Sequence, residues 1–299
     1  MLRIWFLAAA FGFIVSGCAS APPVQQVRAF ASASDAFNAA SQPLLDEVAV
    51  AERERALKLI ATPAKDTKNV IDVPLPGGVT RRLLLDLPVD EVLAISTVGD
   101  PPATAVFRRG VGTIKRYANV LIILAENQNV DAARAELGIL AANLAGVAAL
   151  VPGAAGAPAL AGPLLAALQP LIDGAARAQN AAELKRLVIE AAPKVKELNE
   201  ALRMGAEPLF HTIASGQRQI IVDGGDAQAA IVRIEAYRVA FANWLKLLGL
   251  VDQATDQLVA AVSSPGNTAS LASLVELSTN ITTYAEGARR ALAVFRSGK

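Results

Sequence analysis

Three long segments in the C-terminal half of the chain carry apolar residues at steps of three, four or seven. Such a seam has a period of about 3.5 residues and lies on one face of a helix that packs at a shallow angle against its neighbours. The C-terminal half therefore predicts long, side-by-side helices with a shared core. The seam residues are Leu184, Val188, Ala191, Val195, Leu198, Leu202 and Leu209; Ile234, Tyr237, Phe241, Trp244, Leu248 and Val251; and Leu271, Leu274, Ile281, Tyr284, Ala288 and Phe295.

The composition supports helices along the rest of the chain. Alanine, which has the highest helix propensity, accounts for 61 of the 299 residues, whereas aromatic residues make up only 5%. Two further helical patterns run from Val24 to Ile60 and from Ala103 to Glu126. Short turns at Gly224-Gly225 and Ser264-Pro265-Gly266 favour antiparallel neighbours. We expect an all-α fold over residues 24–299, an elongated antiparallel bundle.

Residues 64–101 interrupt the helical pattern. Ile71, Val73 and Leu75 alternate as in a strand, and Pro76-Gly77-Gly78 follows as a turn. We expect a small β-hairpin insertion that caps one end of the bundle. The alternative is a binding segment, because binding residues often lie on loops.

A second unusual segment, residues 137–172, contains no charged residue. It divides at Val151-Pro152-Gly153 into two arms of about 15 residues, each about 22 Å long as a helix. A hydrocarbon core is about 30 Å thick, so neither arm spans it comfortably. We expect an apolar helical hairpin buried in the centre of the bundle; the alternatives are an exposed surface for a protein partner or for lipid.

The N-terminus has the layout of a signal peptide over residues 1–17, with Arg3 ahead of an apolar run that ends at Val15. Val15-Ser16-Gly17-Cys18 resembles the lipobox of bacterial lipoproteins. The resemblance implies a diacylglycerol thioether on Cys18, cleavage before it and a lipidated tether over residues 18–23. Ala19 in place of Asp implies sorting to the outer membrane, facing the periplasm, with the inner membrane as the alternative. An ordinary signal peptide with a chance cysteine is the competing hypothesis.

Charge gives no indication of a nucleic-acid partner. Without Arg3 the chain has 27 basic and 27 acidic residues, so it is formally neutral. The basic pairs Arg81-Arg82, Arg108-Arg109 and Arg289-Arg290 are interpreted as solvated faces.

Residues for catalysis are scarce, and we predict a protein that is not an enzyme, with no cofactor and no metal site. His211 is the only histidine and is interpreted as a packed or capping residue. Two carboxylate pairs, Glu52 with Glu54 and Asp252 with Asp256, are interpreted as solvent-facing charges. The glycines that follow Arg108-Arg109 lie in a helical pattern, which argues against a phosphate loop.

These observations predict a non-enzymatic, lipid-anchored envelope protein with a structural or partner-binding role. It would attach to the membrane through Cys18 and bind a protein partner in the envelope. The alternative is a membrane-active or lipid-binding protein that uses residues 137–172. Long helices flanking an apolar hairpin resemble, in layout, the helical pore-forming toxins of the haemolysin E type, in which an apolar tongue inserts on assembly.

The lipobox resemblance gives a direct prediction for the anchor. Cys18→Ser removes the thiol that receives the lipid, so palmitate labelling should be lost and an uncleaved precursor should accumulate. Labelled-palmitate incorporation and the size of the product measure both effects. Normal processing of the Cys18→Ser chain would contradict lipidation.

Overall fold

The computed structural model describes residues 24–61, 68–126, 181–264 and 268–296, and six positions between residues 132 and 142. In these residues the helices pack against one another, and the only sheet is a two-stranded hairpin, which confirms the all-α bundle. The elements are α1 (Val24–Ala61), β1 (Val70–Pro74), β2 (Thr80–Leu84), α2 (Val89–Ile95), α3 (Pro102–Ala125), α4 (Ala181–Met204), α5 (Ala206–Val222), α6 (Ala227–Ser263) and α7 (Thr268–Arg296).

Helix α1 is the element around which the others gather. It has 38 residues, about 57 Å of helix, and packs against α2, α3, α5, α6 and α7. Its predicted apolar stripe is fully buried, at Val27, Phe30, Phe37, Leu44 and Val48. The stripe therefore forms one side of the common core over most of the helix.

An aromatic cluster joins α1, α3 and α6 in the middle of that core. Trp244 of α6 is buried, and its ring lies 6.3 Å from that of Phe107 and 6.4 Å from that of Phe241. Its indole Nε1 donates a hydrogen bond to Ser41 Oγ at 2.9 Å. The buried indole N–H thus has the partner that such a group requires.

The first C-terminal seam is buried throughout, from Leu184 to Leu209, but one predicted helix is two helices in the structure. The break lies at Gly205, between α4 and α5. Pro208 explains it: proline has no N–H to donate to the carbonyl of Met204, and its ring crowds that carbonyl. The apolar face continues across the break, which is why the spacing alone did not indicate it.

The turn between α5 and α6 follows the prediction at Gly224-Gly225. Gly224 has a φ of +78°, and Gly225 N–H and Gly224 N–H donate to the carbonyls of Ile220 and Ile221. This is a Schellman motif, in which a left-handed glycine ends the helix. Asp226 then caps α6, because its Oδ1 accepts from Ala229 N–H at 2.9 Å.

The insertion contains the predicted β-hairpin and also a short helix, α2, that was not predicted. The charge-free segment 137–172 lies outside the described residues except for Gly138, Ile139 and Ala142, which are helical and exposed. Its burial therefore stays a prediction. Among the described residues, no helix combines the length and apolar character that crossing a bilayer requires.

Two glycines of α3 test the packing between α3 and α4. A Cβ on Gly110 would lie 3.0 Å from Leu202 Cδ2, whereas one on Gly112 would meet nothing within 4 Å. Gly112→Ala should stabilise the fold by about 0.5–1 kcal/mol through helix propensity. Gly110→Ala should not give this stabilisation, because the new Cβ would crowd Leu202, which is buried and cannot move away freely.

Urea unfolding of the two variants measures the difference directly. Equal stabilisation by both substitutions would contradict the close approach of α3 and α4.

Candidate functional site: the outward face of the β-hairpin

The β-hairpin is built around a turn that needs its two glycines. Gly77 and Gly78 have φ values of +93° and +79°, a backbone conformation that residues with a Cβ rarely adopt. Leu75 N–H donates to Val79 O at 2.7 Å and closes the turn. The strands are antiparallel, with Val70 opposite Leu84 and Pro74 opposite Thr80.

Side chains of the hairpin alternate between two faces with different exposure. On one face Val70 and Leu84 are half-buried, and β2 packs against α1. We call the other face the outward face, formed by Ile71, Val73, Leu75, Val79, Arg81, Leu83 and Leu85. Five of its six apolar side chains are exposed, from 37% for Leu83 to 62% for Leu85, whereas Val73 is half-buried.

The two adjacent arginines of β2 have different environments. Arg82 lies on the inner face and pairs with Asp72 across the strands, with Nε 3.1 Å from Oδ1. Arg81 lies on the outward face opposite Val73, and within the described residues its side chain makes no ion pair or hydrogen bond. Both arginine side chains reach solvent, as interpreted, but Arg82 is also paired with a neighbouring carboxylate, whereas Arg81 is not.

The hydrogen-bond pattern decides which backbone groups face away from the ladder. Leu85 N–H donates to Asn69 O and Leu75 N–H to Val79 O, so every second pair between them is hydrogen-bonded. Val70, Asp72 and Pro74 are then the β1 residues whose backbone points to the free edge. Pro74 has no N–H, and this shortens the edge that another strand could use.

Polar side chains of α1 hold the end of the insertion in place. Glu52 accepts hydrogen bonds from Ala103 N–H and Thr104 N–H at 2.9 and 3.0 Å, and from Thr104 Oγ1 at 2.9 Å. Arg53 donates to Ser96 O at 3.3 Å and Gly99 O at 2.7 Å. A carboxylate at a helix N-terminus accepts hydrogen bonds from N–H groups that have no intrahelical acceptor, and its negative charge interacts favourably with the helix dipole. Glu52 therefore caps α3 in place of a local side chain, and its interpretation as a solvent-facing charge is wrong.

Arg108 of α3 makes a second link to α1. Its guanidinium bonds Asp100 at 2.7 Å and Asp46 at 2.9 Å, and it also donates to Gln42. Burial lowers the pKa of Arg108, but the hydrogen bonds and charges of Asp100 and Asp46 outweigh it, so the pKa lies above its ordinary value. Arg108 is half-buried and links α3 to α1. Its interpretation as part of a solvated face is therefore wrong.

The other candidates from the sequence are dispersed. His211 is exposed within α5, so it is neither packed nor a cap. Asp252 accepts from buried Asn199 at 2.7 Å and Arg203 at 3.2 Å, and Asp256 pairs with Lys196. These carboxylates therefore link α4 to α6.

Cys18 lies outside the described residues, among which no three potential metal ligands cluster. Burial first, and then the charge of Glu47, raises the pKa of Tyr237, whose hydroxyl donates to Glu47 at 3.2 Å.

Two open grooves lie on the helical surface. One, of about 540 Å³ between α1 and α5, is lined by charges of both signs, among them Glu54, Arg55, Lys58 and Asp223. The other, of about 390 Å³ between α6 and α7, is lined mainly by polar residues such as Gln253 and Asn280. Neither selects one class of ligand, whereas the outward face is both contiguous and apolar.

The cap on α3 can be tested with a matched pair of substitutions. Glu52→Ala should destabilise the protein by about 1–2 kcal/mol, because two N–H groups at the start of α3 lose their acceptor. Glu54→Ala removes the same charge from an exposed position two residues away and should change stability by less than about 0.5 kcal/mol. Denaturant unfolding compares the two, and similar losses would contradict the cap.

Comparison with protein-family models, with curated proteins and with solved structures gave no match. The functional conclusion therefore rests on the N-terminal sequence and on the geometry of the outward face.

Proposed function

We propose that this protein is a lipid-anchored, non-enzymatic envelope protein that binds a protein partner through the outward face of its β-hairpin. Cys18 attaches the chain to the outer membrane, and the helical bundle holds the hairpin in the periplasm. The bundle is the scaffold, and the hairpin is the binding element.

The observation that carries this proposal is the exposed apolar face. An antiparallel sheet that covers a core on one side normally presents polar side chains to water on the other. Here Ile71, Leu75, Val79, Leu83 and Leu85 are all exposed on the outer side. A contiguous exposed apolar patch is typical of an interaction site.

The position of the hairpin favours a partner away from the anchoring membrane. Only five residues separate Cys18 from the start of α1 at Val24, a reach of about 20 Å over six fully extended Cα–Cα steps. The hairpin follows the far end of α1, about 57 Å of helix later. The outward face and the lipid therefore belong to opposite ends of α1.

The proposal predicts a specific neighbour at Leu83 in intact envelopes. A photo-crosslinking residue at Leu83 should capture one protein, because the partner covers the outward face. The matched control places the same residue at Val275, an exposed apolar position on α7, where no such product is expected.

Three outcomes would contradict the proposal. They are products from Leu83 that contain only lipid, the same set of proteins from Leu83 and Val275, and no product from Leu83. Lipid products would instead favour the membrane-active alternative, for which residues 137–172 should be probed in the same way.

A further inference from the structure

We infer that the partner presents an apolar surface around a single carboxylate, which pairs with Arg81, and that it docks on the outward face without adding a strand. This inference rests on the proposed function and specifies the chemistry of the partner. It follows from three features of the hairpin: a guanidinium without an internal partner, a face without a carboxylate and an edge interrupted by proline.

Arg81 is the only charged residue of the outward face. Its strand neighbours on that face are Val79 and Leu83, and it lies directly opposite Val73. A partner that covers these apolar residues also removes Arg81 from water. A buried charge without a partner is strongly unfavourable, whereas a carboxylate can pair with a guanidinium through two parallel hydrogen bonds. A complementary surface therefore needs an acid opposite Arg81.

A second copy of this chain does not meet that requirement through the same face. The outward strand residues include no aspartate or glutamate: Asp72 lies on the inner face, and Asp86, beyond the end of β2, accepts a hydrogen bond from Asn69 Nδ2 at 2.6 Å. A two-fold dimer would bring two Arg81 guanidiniums into one apolar interface. Like charges in a desolvated contact oppose association, so a symmetric dimer through this face is disfavoured and we assign the occupant as a different protein.

Strand addition at the free edge of β1 is also disfavoured. Only Val70 and Asp72 offer a backbone N–H there, and Pro74 ends the series. Recognition by strand addition depends on a row of main-chain hydrogen bonds. The other edge belongs to β2, the strand that lies next to α1. Recognition through side chains of the outward face is what remains.

The test reverses the charge of Arg81 and then the charge of the carboxylate expected opposite it on the partner protein. With the crosslinker at Leu83 in the full-length, lipid-anchored protein, Arg81→Glu should lower the yield of the crosslinked product about tenfold or more. Arg81→Lys keeps the charge but loses the two-pronged geometry and should have a smaller effect. Arg82→Gln is the matched control and should change the yield less than about twofold, since Arg82 lies on the inner face.

Mass spectrometry of the product identifies the partner residues next to Leu83. Changing the adjacent aspartate or glutamate of the partner to lysine should restore crosslinking to the Arg81→Glu protein and not to the unmodified one. Hydrogen exchange of the hairpin amides in each variant checks that the fold is retained.

The outcomes separate this inference from the proposed function. Undiminished crosslinking of Arg81→Glu to the same protein, or the absence of an acidic residue at the crosslinked surface, overturns the inference and leaves the proposed function standing. A product containing a second copy of the chain or a lipid overturns it as well. No protein product from Leu83 in the unmodified chain overturns both.

Discussion

Burial of the apolar stripe of α1 is the interaction on which the rest of the described structure depends. Each large apolar side chain moved from water into the core contributes about 1.5–3 kcal/mol, and the stripe supplies Val27, Phe30, Phe37, Leu44 and Val48. Five other helices pack on α1, so they are positioned relative to one another through it. The position of the hairpin is also set by α1, because β2 and α2 pack against this helix.

Polar contacts fix the register of the helices, which apolar burial alone would allow to slide past one another. Glu52 binds the first N–H groups of α3, and Arg108 ties α3 back to Asp46 of α1. Ser41 accepts from the indole of Trp244 at one depth of the core, which fixes α6 along the axis of α1. A shift of register would break these hydrogen bonds and leave polar groups unpaired, which costs free energy.

Much of the fold could be predicted from spacing because a buried helical face repeats regularly. The bounds of α1 and α3 and the burial of the seam around Trp244 follow from that repeat. Helix α2 was missed because seven residues are too few to show a period. The break at Gly205 was missed because the seam crosses it, although Pro208 was the available signal.

The site was harder to predict, because it depends on which neighbours a residue meets. A helical pattern places Glu52 on the polar side of α1 but does not reveal that the start of α3 lies beside it. Alternation predicted the strands, yet apolar residues occur on both faces of the hairpin, at Val70 and Leu84 as well as at Ile71 and Leu83. Only the exposure of the side chains in the folded protein, half-buried at Val70 and Leu84 but exposed at Ile71 and Leu83, shows which face is left open.

The central claim is that the outward face contributes little to folding and exists for a partner. Hydrogen exchange at Leu75 and Leu85, whose N–H groups close the two ends of the ladder, tests it most directly. In the anchor-free protein, Ile71→Thr with Leu83→Thr should change exchange there by less than about threefold, because these side chains are exposed and lose little buried apolar surface. Val70→Thr with Leu84→Thr should accelerate exchange by about tenfold or more, because the half-buried pair supports the hairpin. Equal acceleration by both pairs would show that the outward face is part of the folding core and would contradict the account.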